Sequence, residues 1–211
     1  MKQLGVGIAI ALLFALVSCR QPTSPANQFQ PVRLEVEGAY THSPTSIELP
    51  LTAGPFGRIG ITKYDEGETD VSGHYEHFVP PKRISATVYI YPAPRVVSIG
   101  SPANVIESAK SNVVASHFRA LKREILANHP QAKLVSEERV SLPSLRRMLK
   151  GEKTEFQFTS ETGNTQFPAS SFLYLFRCDD WLLKIRATAP RKLRADMENA
   201  VDKLISELPI P

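Results

Sequence analysis

Two cysteines in 211 residues, Cys19 and Cys178, exclude a disulfide framework. No apolar run reaches the roughly 20 residues that a membrane-spanning helix needs. Neither sign of charge dominates: 25 Lys and Arg stand against 21 Asp and Glu, a formal +4 that carries no nucleic-acid signature. The linear signatures of catalysis are missing too. Gly-x-Ser-x-Gly and Ser-x-x-Lys do not occur, which removes the usual nucleophilic-serine frames. There is no P-loop, no dinucleotide glycine fingerprint and no His-Glu-x-x-His, so neither a phosphate cradle nor a zinc helix is written in the chain. No cofactor is expected. No internal repeat divides the sequence. A chain of this length suits one domain and buries on the order of 70 % of its unfolded surface, so it needs no disulfide or metal to hold it.

What is present begins at the amino terminus. Lys2 precedes the apolar residues 4–17, a length that fits the core of a secretory signal, and Leu16-Val17-Ser18-Cys19 follows. This stretch resembles the processing site of bacterial lipoprotein precursors. The resemblance implies cleavage before Cys19, a diacylglycerol on the Cys19 sulfur and acylation, typically with palmitate, of the new amino terminus. A thiolate is the best side-chain nucleophile for accepting a lipid. Each buried methylene contributes about 0.8 kcal/mol, and two or more chains anchor stably where one does so marginally. Arg20 stands where the family rule would want Asp for inner-membrane retention. The expected location is therefore the cell envelope, lipid-anchored on the periplasmic face of the outer membrane. A secreted chain also has no nucleic acid to meet. With Cys19 acylated, Cys178 is left as a lone thiol, expected to be a small buried hydrophobe.

Three regions follow: a signal at 1–18, the lipidated Cys19 with a proline-rich tether at 19–31, and a single domain at 32–211. Pro22, Pro25 and Pro31 among mostly polar residues make the tether, whose length lets the domain stand up to roughly 40 Å from the lipid.

From Val32 the pattern turns to period two, with Val32, Leu34 and Val36 alternating against Arg33, Glu35 and Glu37. Residues 47–49 and 56–64 read as short strands, 65–73 as a polar loop, and 84–91 as a strong strand of β-branched and aromatic residues. Ser101-Pro102 predicts a helix start, Ser as cap and Pro as first helical residue. Val105, Ile106, Ala109, Val113, Phe118, Leu121 and Ile125 form its apolar stripe, and Pro130 ends it near His129. A strand at 133–142, a helical turn at 144–150 and a strand at 155–160 are expected next. Residues 172–176 and 181–188 form a hairpin about a turn at 177–180. Phe172, Tyr174 and Phe176 line one face of its first strand, and Leu173 and Leu175 the other, which predicts a central strand covered by helix on one side. A last helix at 192–208 carries Leu193, Met197, Ala200, Val201, Leu204, Ile205 and Leu208 as its buried stripe.

The expected fold is α+β: an antiparallel sheet with a long helix and a C-terminal helix packed against it. The closing hairpin plus helix, residues 174–208, resembles the oxygen-evolving-enhancer fold of the photosystem II extrinsic subunits. That resemblance implies a binding or assembly role, because the superfamily is mostly non-catalytic.

Two clusters are candidate sites. Lys184, Arg186 and Arg191, with Lys192 and Arg194, concentrate positive charge near the end of the last strand, where an anionic partner would bind. Arg139, Arg146, Arg147, Lys150 and Lys153 form a second basic region. Asp65, Glu66, Glu68 and Asp70, followed by His74 and His77, are the densest set of oxygen and nitrogen ligands. The spacing fits neither an EF-hand nor a zinc site, so no metal is expected and the segment reads as a solvated acidic loop. His117 lies on the helical apolar stripe and reads as a partly buried core histidine. The expected function is non-catalytic binding, assembly or maintenance at the envelope. Its partners would be the membrane through the lipid anchor and an envelope protein or anionic cell-surface polymer. The alternative is a small periplasmic enzyme or ligand carrier whose site is assembled around residues 65–77.

Overall fold

A computed structural model describes residues 29–96, 100, 102–162 and 165–211. The signal, Cys19, most of the tether and Ser101 lie outside the described residues. The chain runs β1 (Val32–Leu34), β2 (Tyr40–His42), β3 (Ile47–Leu49), β4 (Thr52–Ala53), β5 (Phe56–Lys63), β6 (Val71–Val79) and β7 (Lys82–Pro92). Helix α1 (Ala103–Asn128) follows, then β8 (Lys133–Pro143), β9 (Met148–Thr162), β10 (Thr165–Cys178), β11 (Trp181–Pro190), a 3-10 turn (Arg191–Leu193) and α2 (Arg194–Glu207).

The fold is α+β. One antiparallel sheet runs β1-β5-β6-β7-β11-β10-β9-β8, with β4 added on β5, and β2-β3 forms a separate hairpin. Two meanders make the sheet. After β7 the chain crosses through α1 to the far edge and returns strand by strand until β11 pairs with β7. The crossover places the strongest strand of the first meander beside the last strand of the second.

Period-two alternation sends neighbouring side chains of β10 to opposite faces. Phe172, Tyr174 and Phe176 join the core beneath α2, together with Val88, Ile90, Leu183 and Ile185. Leu173 and Leu175 join a smaller core with Phe156, Phe158 and Leu182 beneath α1. A helix therefore covers each face of β10, where the sequence pattern predicted one.

The C-terminal helix follows its predicted stripe: Met197, Ala200, Val201, Leu204 and Ile205 are buried, as is Leu208 just beyond it. Helix α1 departs from its prediction. Pro102 is the cap residue with extended backbone, and the helix proper starts at Ala103. Of the predicted stripe only Phe118 and Ile125 are buried, and Val105 is 50 % exposed. The second core is small and lies under the C-terminal half of α1, so the first half has little to pack against.

Other elements differ in extent. Residues 144–147 form a turn rather than a helical segment. The Ser144 amide and hydroxyl both donate to the Arg147 carbonyl, at 2.8 and 2.9 Å, and close the β8–β9 hairpin. Strand β9 begins at Met148, seven residues before the expected start, because its early charges are paired: Glu152 with Arg139, and Lys153 with Glu138. Gly151 allows the close crossing there, since a Cβ would lie 2.3 Å from the Leu175 carbonyl oxygen. The last turn narrows to Asp179-Asp180, with Asp179 at φ 57°. The polar loop ends at Asp70, and β6 takes up Val71, which puts His74 and His77 on opposite faces of a strand.

Candidate functional site

The α1-facing side of the sheet changes character halfway across. One row of register partners runs Thr154, Leu173, Arg186, Thr87, His74; the next runs Leu175, Lys184, Tyr89, Ser72, Thr62, Arg33. Leucines lie under α1. Beyond them, from β11 to β5, the face is polar and aromatic, and no helix among the described residues covers it.

Where the edge of α1 meets this polar half lies a cleft of about 230 Å³, lined by Tyr64, Asp70, Tyr89, Tyr91, His117, Leu121 and Lys184. The Lys184 ammonium sits 3.9 Å from the centre of the Tyr89 ring and 5.6 Å from that of Tyr91, a cation–π seat. Tyr64 stands next to Tyr89, ring centres 6.3 Å apart. Tyr91 and His117 are joined by a 2.9 Å hydrogen bond between the phenol and Nε2, which ties α1 to β7. That contact gives His117 the core role its position on the stripe predicted. Burial, and then the nearby Lys184, hold His117 below the usual histidine range, so it is neutral at pH 7.

Arg186, two residues from Lys184 on the same face, donates to His129 Nε2 at 3.4 Å. Burial lowers both cations from their ordinary values; Glu124 and Asp70 oppose this for Lys184, as Tyr89 and Glu124 do for Arg186. Burial raises Asp70, with Lys184 pulling the other way.

Neither Lys184 nor Arg186 has a carboxylate within ion-pair distance among the described residues. Every other buried or half-buried cation there is satisfied. Lys110 pairs with Asp180 at 3.2 Å, Arg177 with Glu107 at 3.2 Å, Lys122 with Glu137, and Lys153 with Glu198; Arg58 donates to the Leu49 and Gly38 carbonyls. Charges removed from water are ordinarily paired, so two adjacent half-buried cations without a counter-ion are an exception that calls for one.

Beside the cleft, His74 gathers hydroxyls. Its Nε2 lies 3.0 Å from Thr62 Oγ1 and 3.2 Å from Ser72 Oγ, its Nδ1 lies 3.4 Å from Thr87 Oγ1, and Tyr64 reaches Ser72 at 3.1 Å. Burial, then Arg33, lower His74 below the usual range. Ser72 beside a neutral histidine has the outline of a nucleophile and base, but Ser72 is fully buried and Thr87 stands where an orienting carboxylate would be. This network can bind and orient; it offers no accessible nucleophile.

The predicted clusters separate accordingly. Lys184 and Arg186 come together. Arg191 is exposed on the 3-10 turn, with no hydrogen bond or ion pair to either among the described residues, and Arg194 turns to the opposite face, bonding Glu155 and Glu198 at 3.0 and 2.6 Å. In the second basic region Arg139, Arg147 and Lys153 are each paired with an acid. In the acidic loop, Asp65 is a loop cap that accepts from the Thr69 and Asp70 amides at 2.8 and 3.1 Å. Burial works to raise its carboxyl, and the bonds from Thr69 and Asp70 outweigh it, holding the group below the usual carboxylate range. Glu68 accepts from Tyr40, whose phenol is pushed up to about 12 by burial and then by Glu68. Among the described residues no group of three or more His, Cys, Asp or Glu side chains is placed to hold a metal ion. Cys178 is buried and its thiol is raised to about 11, mainly by burial, which makes it unreactive.

Tyr64, Tyr89 and Tyr91 were not predicted as site residues, while Asp70 stood in the acidic loop of the alternative reading. A signal existed for two of them: alternation along 84–91 puts Thr87, Tyr89 and Tyr91 on the face opposite Ile84, Ala86, Val88 and Ile90. Two larger grooves of about 650 and 620 Å³ flank the first half of α1, but Lys110, Arg139 and Arg177, which line them, are already paired. Among the described residues no helix is long and apolar enough to cross a membrane. Comparison with protein-family models finds none that matches the chain, and comparison with curated proteins finds no matching sequence.

Proposed function

We propose that this chain is a lipid-anchored protein of the bacterial envelope whose α+β domain serves a non-catalytic binding or assembly role, held at the periplasmic face of the outer membrane by Cys19. The observation that carries the binding role is the pair Lys184 and Arg186, half-buried, side by side and without a carboxylate. An anionic partner, such as an acidic cell-surface polymer, supplies the missing counter-ion. The Leu16-Val17-Ser18-Cys19 sequence supports the anchor, and the likeness of residues 174–208 to the photosystem II extrinsic subunits supports a role without catalysis.

Two measurements test the reading. The full chain, expressed with a fatty-acid analogue, is expected to carry label and to partition with membranes, and Cys19→Ala to lose both; an unlabelled, soluble wild-type chain overturns the anchor. Isolated cell walls are expected to retain the full chain at low salt, and Lys184→Gln with Arg186→Gln to abolish retention. Equal retention of wild type and double variant overturns the anionic-partner role.

A further inference from the structure

The cleft beside α1 carries unpaired groups of both kinds. Lys184 in its lining, and Arg186 next along the same face of β11 just outside it, are donors without a carboxylate. Asp70, half-buried in the same lining, is an acceptor: its carboxylate receives no hydrogen bond and forms no ion pair among the described residues, and it stands outside ion-pair distance of Lys184. Leaving such groups unpaired costs free energy that a ligand meeting both would recover. Between them the walls are Tyr64, Tyr89, Tyr91 and Leu121, aromatic and aliphatic surface suited to the C–H face of a ring. At about 230 Å³ the space is smaller than the 300–1,000 Å³ usual for drug-sized ligands and suits a single ring.

We propose that this cleft binds a carboxylate-bearing sugar unit, its carboxylate on Lys184 and Arg186 and a ring hydroxyl donating to Asp70. The assignment rests on the anionic-partner reading above and names the ligand class for the same site. The charged groups around the cleft are Lys184 and Asp70 in its lining, Arg186 beyond Lys184 on β11, and Glu124 on the exposed side of α1. Asp70 is the carboxylate in the lining, and a ring hydroxyl donates to it without bringing a second positive charge beside Lys184. Along the sheet, the half-buried Thr62, His74 and Thr87 continue the polar surface on which a neighbouring unit of a polymer would lie.

The test uses the full chain purified in detergent, with D-glucuronate, D-glucose, L-phenylalanine and inorganic phosphate as probes in saturation-transfer and titration NMR. Glucuronate is expected to bind, with glucose and phenylalanine at least about tenfold weaker. Lys184→Gln and Arg186→Gln are each expected to weaken glucuronate about tenfold, and Asp70→Asn to weaken glucuronate while leaving phosphate unchanged. Thermal unfolding by circular dichroism verifies that each variant is folded. Phosphate, glucose or phenylalanine binding as tightly as glucuronate overturns the sugar-acid assignment. So does an Asp70→Asn variant with unchanged glucuronate affinity. If phosphate binds through Lys184 while glucuronate does not, the sugar assignment fails and the anionic-partner reading stands. If neither binds and the double variant is retained on cell walls like wild type, both fail.

Discussion

The two faces of the sheet handle buried charge in opposite ways. Beneath α2, Lys153 is buried among Phe172, Tyr174 and two carboxylates, bonded to Glu198 and, at 3.0 Å, to Glu138; Arg194 joins Glu198 to the buried Glu155. Burial alone would lower Lys153, and its bonds to Glu198 and Glu138 outweigh it, so the ammonium is held above its ordinary value. Lys153, Arg194, Glu155 and Glu198 each have a partner of opposite sign and fasten α2 to β9, while the half-buried Asp202 accepts only from the Tyr174 phenol, at 3.5 Å. On the other face, Lys184 and Arg186 are half-buried without that compensation, and both are lowered. The closed network is a structural device. The open pair is where the proposed anionic partner would act.

The largest expected effect comes from opening the closed side. Lys153→Met removes the cation that joins Glu198 to Glu138; Glu198 keeps Arg194 and Glu138 is exposed, so the loss of these charge-assisted bonds is expected to cost about 1–3 kcal/mol, measured by urea unfolding. Next, Lys184→Met with Arg186→Met is expected to leave stability unchanged or raise it by about 1 kcal/mol, because two unpaired half-buried charges are removed, while retention on cell walls is lost. A loss as large as that of Lys153→Met would erase the contrast.

Acid separates Glu198 from Asp70 by sign. Burial raises Glu198, and Lys153 and Arg194 outweigh it, so its folded pKa lies below the unfolded value near 4.3. Its contribution is present above about pH 4.3 and is lost as pH falls through the depressed folded value. Asp70 is raised, so protonating it as pH falls toward the unfolded value of about 3.9 adds stability instead. Thermal melts against pH are expected to show a shallower acid loss for Glu198→Gln than for wild type, and a steeper one for Asp70→Asn. The smallest effect is that of salt: molar chloride is expected to release the chain from cell walls while barely moving the unfolding midpoint, since buried pairs are screened little.

Much of this architecture is legible in the residues themselves. The stripe of α2 is read directly from its three- and four-residue spacing, and the β10–β11 hairpin from alternation on both faces. Strand β9 is not, because Lys150, Glu152 and Lys153 look like loop residues until Arg139, Glu138 and Glu198 are brought beside them. Strand β6 is hidden for a similar reason: His74 and His77 resemble loop ligands, and only their neighbours in β5 and β7 show them to be strand positions. Arg194 of the first basic cluster and Lys153 of the second proved to be structural for the same cause, being partners of acids distant in sequence.

By itself, then, the sequence determined the α+β class, the C-terminal helix, the closing hairpin and the expectation of a lipid on Cys19, because each follows from local periodicity or a contiguous motif. Which cations are free and which are paired was decided by tertiary structure alone. Ion pairing depends on distance in space, and the crossover through α1 sets Lys184 next to Tyr89 while the return into α2 sets Arg194 next to Glu155.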